Sequence, residues 1–238
     1  MVNGKVTHNL HAMLTSPTVI ADPERRLALS YAPRARRAGL AALTALDEML
    51  GTILRSGREP IVTQMRLTWW YEALSRLDLA PPPSQPILQA LASDVLPQGV
   101  SGSALAAMID GWEILLDPDP VEEVALLGYA EARGATLFRA AGQLLGSAGD
   151  PLAAAGQGWA LVDLACHSRE PGLAVQAIAF AVPLLEEALT PRWSKAGRPI
   201  GMLARLAQVD CHTGLAMPRQ QGSPARLFHM IRHAMTGQ

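Results

Sequence analysis

Apolar residues recur at spacings of three and four over long stretches of this chain, which is the repeat of an α-helix with one buried face. Alanine and leucine dominate these stretches and β-branched residues are sparse, so local preferences also favour helix over strand. Hydrophobic residues make up 49% of the 238 residues, enough for a sizeable core. The sequence therefore predicts an all-α fold.

Prolines and glycines divide this pattern into separate helices. Asp22 followed by Pro23 is typical of a helix start, because a carboxylate can cap free N–H groups and proline fits the first turn. The run from Pro81 to Pro83 is a firm break, and Pro183 is expected to kink the helix that contains it. The predicted helices cover residues 23–31, 33–55, 59–79, 85–96, 103–116, 121–145, 151–168, 173–189, 201–209 and 224–233, with 191–199 irregular.

No linker separates two stretches of different amino-acid composition, and the sequence has no internal repeat of fixed period. We therefore expect a single domain over residues 1–238. Its core should lie at about 22–210, and residues 1–18 should be loosely held.

Charge and cysteine content exclude several classes of function. The net charge is −1, so the basic face that nucleic-acid binding needs is not expected. Cys166 and Cys211 are too few for a disulfide framework and lack the spacing of a zinc site. We see no transmembrane run and no secretory signal. The expected location is the cytoplasm.

Adjacent tryptophans, Trp69 and Trp70, lie within an unbroken helical pattern in a chain with 5% aromatic residues. Neighbouring residues on a helix point about 100° apart, so the two indoles cannot share a face. Core packing is favoured over ligand contact for both. The segment that contains them reads Arg66-Leu67-Thr68-Trp69-Trp70 and follows Glu59-Pro60.

Together with other segments, this run resembles the squalene/phytoene synthase family. The further segments are Asp22-Pro23-Glu24-Arg25, Ala32-Pro33 with Arg36-Arg37, Tyr129-Ala130-Glu131-Ala132 with Gly134, and residues 156–164. The resemblance implies one helical bundle around a central apolar cavity, with Tyr129, Trp69 and Trp70 as candidate cavity-lining residues. It also implies two aspartate-rich helices on opposite walls, which hold magnesium against a prenyl diphosphate.

The aspartate-rich motifs are largely missing. In the register set by the tryptophans, the first motif falls on residues 51–55, which contain no carboxylate, and the nearest acids lie one turn earlier. The second motif falls on residues 163–171. The candidate residual polar site comprises Asp163, His167, Glu170, Asp47 and Glu48. The alternative for the first three is a solvated helix end. Because a departing diphosphate needs cationic help, we expect no metal cofactor and no prenyl transfer.

Arginines lie at or beside the missing acids. Arg55, Arg58 and Arg169 are candidate anion-binding residues, because a guanidinium can bind a phosphate directly. The alternative is that all three are solvated at helix ends.

The pattern also resembles a degenerate branch of the family that includes complex I assembly factors. This resemblance implies a binding or assembly helper with a respiratory-complex protein as partner, and it allows a peripheral position on the inner membrane. Two alternatives stay open. One is an active farnesyl or geranylgeranyl diphosphate transferase with a shifted magnesium site, and the other is a carrier of an isoprenoid or lipid ligand.

Overall fold

The structure, a computed structural model, describes residues 20–57, 59–117, 121–214 and 219–238. All regular secondary structure of these residues is helical, as predicted. The α-helices are α1 (Pro23–Tyr31), α2 (Arg34–Ser56), α3 (Pro60–Arg76), α4 (Pro86–Asp94), α5 (Gly102–Ile114), α6 (Glu123–Tyr129), α7 (Thr136–Leu145), α8 (Leu152–His167), α9 (Pro171–Leu189), α10 (Arg198–Thr213) and α11 (Pro224–Thr236).

The predicted starts are confirmed where a cap and a proline occur together. The Asp22 carboxylate accepts hydrogen bonds from the backbone N–H groups of Glu24 and Arg25, and Pro23 stands in the first turn of α1. The prediction for α10 was too short. Pro199 lies in its first turn, where a missing N–H group costs nothing, so the helix begins at Arg198 rather than at 201.

The predicted helix over residues 121–145 is one helical run with an irregularity. A π-helical turn, Ala130–Ala135, joins α6 to α7. It packs against α8 where two glycines meet: a Cβ atom added to Gly134 would lie 2.1 Å from the carbonyl oxygen of Gly156. This close contact brings the side chain of Arg133 into the interior, where it is 1% exposed.

Helix α8 is the central element of the bundle. It packs against α9, α10, α7 and the π-helical turn, while α3 pairs with α5 and α2 with α4. Helix α11 closes the fold against α10 and α1. Most of α8 is buried, including Asp163, so an ionisable side chain on this helix needs a partner inside the protein.

Helix α9 is the described helix whose length and mean hydropathy, 1.5, match those of a membrane-spanning segment. The sequence predicts no such segment, because polar residues and Pro183 interrupt the apolar pattern. Its alanine-rich face is buried against α8 and α10, and the core helix of a globular protein meets the same criteria.

Candidate functional site

A cleft of about 1180 Å³ lies among α2, α8, α9 and the C-terminal helices. Charged side chains line much of it. Among the described residues these are Asp22, Arg25, Asp47, Glu48, Arg55, Arg133, Asp163, Arg169, Asp210, Arg219 and Arg226, with His167 and His229. This lining differs from the apolar cavity that the family resemblance implied, because its polar wall is made of ion pairs.

The guanidinium of Arg133 bridges the two acidic helices. Its Nε lies 2.8 Å from Oδ1 of Asp47 on α2, and its Nη2 lies 2.9 Å from Oδ2 of the same carboxylate. The same Nη2 lies 2.8 Å from Oδ2 of Asp163 on α8. A single buried cation therefore contacts one carboxylate from each wall.

A second guanidinium completes the charge balance. Nη1 of Arg25 on α1 lies 3.0 Å from Oδ2 of Asp47, and the Arg25 side chain stacks over the indole of Trp159 at 5.0 Å. Burial opposes ionisation of Asp47, but the attraction of Arg133 and Arg25 outweighs it and lowers the pKa. For Asp163, too, burial is outweighed by the same two arginines, and the pKa falls well below its usual range.

Aromatic rings enclose the Arg133 guanidinium. Its central carbon lies 4.1 Å from the ring centre of Trp112, 4.8 Å from that of Trp159 and 5.7 Å from that of Tyr129. The Arg133 side chain also donates a hydrogen bond to the hydroxyl of Tyr129. Burial raises the pKa of that hydroxyl, so it stays protonated. These side chains fill the interior beside the cleft.

This donor set does not fit a magnesium cluster. Both oxygens of Asp47 accept N–H groups of Arg133, and Arg25 contacts one of them as well. Magnesium prefers oxygen ligands with open coordination positions, and a guanidinium in contact with those oxygens repels it. Among the residues that the structure describes, no group of three His, Cys, Asp or Glu side chains could hold a metal ion.

The predicted polar site is only partly assembled. Glu48 lines the cleft and accepts a hydrogen bond from the backbone N–H of Ala21 at 2.9 Å. His167 also lines the cleft, with Nδ1 2.8 Å from the carbonyl oxygen of Asp163. Glu170 precedes α9, is exposed and does not line the cleft. The solvated helix end is therefore the better description of Glu170.

The three aromatic candidates do not line this cleft. Tyr129 is fully buried beside Trp112, with the ring centres 6.0 Å apart. Trp70 is 5% exposed and belongs to the core, whereas Trp69 is 46% exposed on the outer side of α3. The tandem indoles form an edge-to-face pair at 5.4 Å. Core packing thus describes Trp70, and Trp69 is a surface residue.

Two of the three candidate anion-binding arginines line the cleft. Arg55 and Arg169 are exposed there, and neither has an ion-pair partner among the described residues. The Arg55 guanidinium folds back over Gly51, where an added Cβ atom would lie 2.7 Å from Nη1. The positive charge of Arg55 therefore lies over residues 51–55, where the first aspartate-rich motif is missing. Arg58 lies outside the described residues.

The buried arginines of this site were not predicted from the sequence. Arg133 lies one residue before Gly134 in the family-like segment, and Arg25 ends the motif that begins at Asp22. A second buried cluster was also missed: Arg226 contacts Glu24 at 2.7 Å and Asp210 on its other side. An arginine at a position with apolar helical spacing is the signal that could have identified these residues.

The all-α bundle, with acids from two helices facing one cleft, has the isoprenoid-synthase fold. A crystal structure of a dehydrosqualene synthase in complex with ligand matches 89% of this chain and 90% of its own, with a TM-score of 0.67 and 14% identity. Residues 21–183 match the squalene/phytoene synthase family, and the chain belongs to that family. A search of curated proteins gave no match.

Proposed function

We propose that this chain is a member of the squalene/phytoene synthase family that has lost prenyl transfer and acts as a binding or assembly helper. The observation that supports the proposal is the Arg133 guanidinium in contact with both Asp47 and Asp163. A fixed cation cannot depart with a diphosphate or exchange for magnesium. The charge of Arg133 is already balanced by the two carboxylates, so this cation is not free to stabilise a leaving group.

The test is incubation with farnesyl or geranylgeranyl diphosphate and magnesium, with a dehydrosqualene synthase assayed in parallel. We expect neither pyrophosphate release nor a prenyl product above the protein-free background. Product formation would support the alternative, an active transferase with a shifted magnesium site. That site needs Asp47 and Glu48 on one wall with Asp163 and Glu170 on the other, and Glu170 does not line the cleft.

A second candidate function is the binding of an anionic isoprenoid or lipid without turnover. The supporting observation is that Arg55 and Arg169 line the cleft without an ion-pair partner among the described residues. A phosphate group can accept paired N–H donors from each guanidinium. The apolar residues Ala174 and Val175 line the same cleft and offer a surface for the start of a hydrocarbon chain.

Binding can be measured by calorimetry with farnesyl phosphate in magnesium-free buffer. The double variant R55Q/R169Q should weaken binding at least about tenfold, since charge-assisted hydrogen bonds contribute roughly 1.5–3 kcal/mol each. R139Q is the matched control, because Arg139 is exposed and pairs with Glu131 away from the cleft. Equal affinities of both variants and the parent chain would count against this site.

The assembly role follows from the resemblance to complex I assembly factors. Deletion of the gene in its host, followed by native gel analysis of respiratory complexes, tests it directly. We expect less assembled complex I and its restoration by the intact gene. Unchanged complex I in the deletion strain would exclude the role.

A further inference from the structure

Charge is unevenly distributed along this chain. Residues 188–238 contain seven of the 20 basic residues but one of the 21 acidic residues, Asp210. That carboxylate is buried and contacts Arg226 and, at 3.0 Å, Arg219. It therefore cannot neutralise the surface cations around it. The C-terminal part of the fold, which comprises α10 and α11, is locally basic although the whole chain is almost neutral.

Helix α11 turns an apolar face toward solvent on this basic side. Phe228, Ile231 and Met235 are 62%, 39% and 71% exposed, at spacings of three and four that place them on one side of the helix. Arg232 is exposed one turn after Phe228. No acidic residue occurs anywhere in α11.

Further cations lie close to this face. Burial lowers the pKa of His229, and the nearby guanidiniums of Arg205, Arg232 and Arg226 lower it further. Neither Arg205 nor Arg232 forms an ion pair within the described residues; Arg205 donates a hydrogen bond to Gln208 at 2.6 Å. The apolar stripe is therefore bordered by two arginines whose charge is not balanced.

Another exposed apolar stripe, on α3, has a different electrostatic setting. Ile61 and Met65 are 76% and 68% exposed, but α3 and its cap carry acids as well as bases, namely Glu59, Arg66, Glu72 and Arg76. Mixed charge offers no preference for a strongly anionic surface. The α11 face, in contrast, combines apolar side chains with cations alone, the pattern of helices that lie flat in the interface of anionic bilayers.

We propose that the α11 face, formed by Phe228, Ile231 and Met235 with Arg205 and Arg232, docks on an anionic lipid bilayer. The three apolar side chains enter the boundary between headgroups and acyl chains, and the guanidiniums pair with lipid phosphates. Because His229 lines the cleft, docking brings one edge of the cleft close to the membrane. The proposal does not depend on whether the cleft binds a ligand.

The experiment is flotation of the full chain with vesicles of phosphatidylcholine, either pure or with one third phosphatidylglycerol. We expect binding to the anionic vesicles alone, weakening as salt rises. F228S/M235S should lower the partition coefficient at least about tenfold through the loss of buried apolar area. R232Q should lower it about fivefold. The matched control I61S/M65S, equally exposed on α3, should bind as the parent does.

Thermal unfolding by circular dichroism confirms that each variant is folded, which is expected because the substituted side chains are exposed. Failure to bind anionic vesicles, equal binding to neutral ones, or equal losses in both double variants would overturn the proposal. Light scattering separates one rival explanation. If the chain does not bind vesicles but forms a dimer that F228S/M235S dissociates, the α11 face is an interface with a second copy instead.

Discussion

Replacing Arg133 by methionine tests whether the bridging guanidinium holds the bundle together. Methionine keeps much of the length of the side chain among Trp112 and Trp159 but removes the charge. Asp47 and Asp163 would then be two buried carboxylates without their shared partner. Each has lost its hydration on folding, so the loss of the cation raises the free energy of the folded state.

The magnitude follows from the contacts. Removing one member of a buried ion pair costs about 3–5 kcal/mol. Arg133 makes contacts of 2.8 and 2.9 Å to Asp47 and of 2.8 Å to Asp163, but Arg25 still contacts Asp47 at 3.0 Å. We therefore expect the lower end of that range, about 3 kcal/mol, because Arg25 remains beside Asp47 and Arg219 lies 3.8 Å from Asp163.

Urea unfolding at pH 7, followed by circular dichroism, gives the free energy of unfolding. R139M is the control, because Arg139 is exposed and its pair with Glu131 should contribute less than about 1 kcal/mol. The double variant R133M/D163N should recover part of the loss, since Asp163 loses its closest cation and a neutral amide is less costly to bury than a charge. A loss below about 1 kcal/mol in R133M would refute the reasoning.

The pH dependence provides an independent check. Arginine contacts lower the pKa of Asp47 and Asp163 below the ordinary 3.8, so their contribution to stability is present above that value. It is lost as the pH falls through the folded-state pKa values. R133M should show a flatter loss of stability in this acidic range. If the free energy of unfolding of R133M falls with acid pH as steeply as that of the parent chain, Arg133 does not set these pKa values.

Four further substitutions test the geometry. His233 is fully buried, and burial lowers its pKa from 6.5 to about 4. Between these two values the unfolded chain takes up a proton and the folded chain does not, so the free energy of unfolding should fall by up to about 3 kcal/mol from pH 6.5 to pH 4. Urea titrations of H233Q should show a smaller fall over the same range. G134A should lower the free energy of unfolding by about 3 kcal/mol or more, because its Cβ would lie 2.1 Å from the carbonyl oxygen of Gly156. An unchanged melting temperature would contradict this contact. W70A should cost about 3–5 kcal/mol, whereas W69A should cost far less because Trp69 is half exposed; equal losses would contradict the assigned faces.

Most helices could be predicted because their ends are encoded locally. Asp22 with Pro23 fixes the start of α1, and Pro33 and Gly57 flank α2 as expected. The π-helical turn at Ala130–Ala135 was not predictable in this way. It depends on the approach of Gly134 to Gly156, two residues distant in sequence that meet only when α8 is packed in place.

The position of the candidate site could be predicted from the sequence, but the arginines that pair with its acids could not. The register placed Asp47 and Asp163 on facing helices, and both line the cleft. Arg133 shares the helical spacing of the apolar residues Tyr129 and Leu137, which indicates a buried position, but spacing does not show that its guanidinium lies between the two carboxylates. That placement depends on three aromatic rings from α5, α6 and α8, a tertiary arrangement that helical periodicity does not encode.

Two carboxylates that face each other inside a bundle need a cation between them, whatever its source. The family resemblance implies that magnesium supplies this charge, whereas here Arg133 supplies it as part of the chain. A built-in cation stabilises the fold before any ligand arrives, and it leaves the two acids no electrostatic reason to recruit a metal. The cations without partners in the described cleft are then Arg55 and Arg169, and their charge attracts an anion rather than magnesium. The same charge balance thus links the expected loss of stability in R133M, the proposed loss of prenyl transfer and the proposed preference for an anionic ligand.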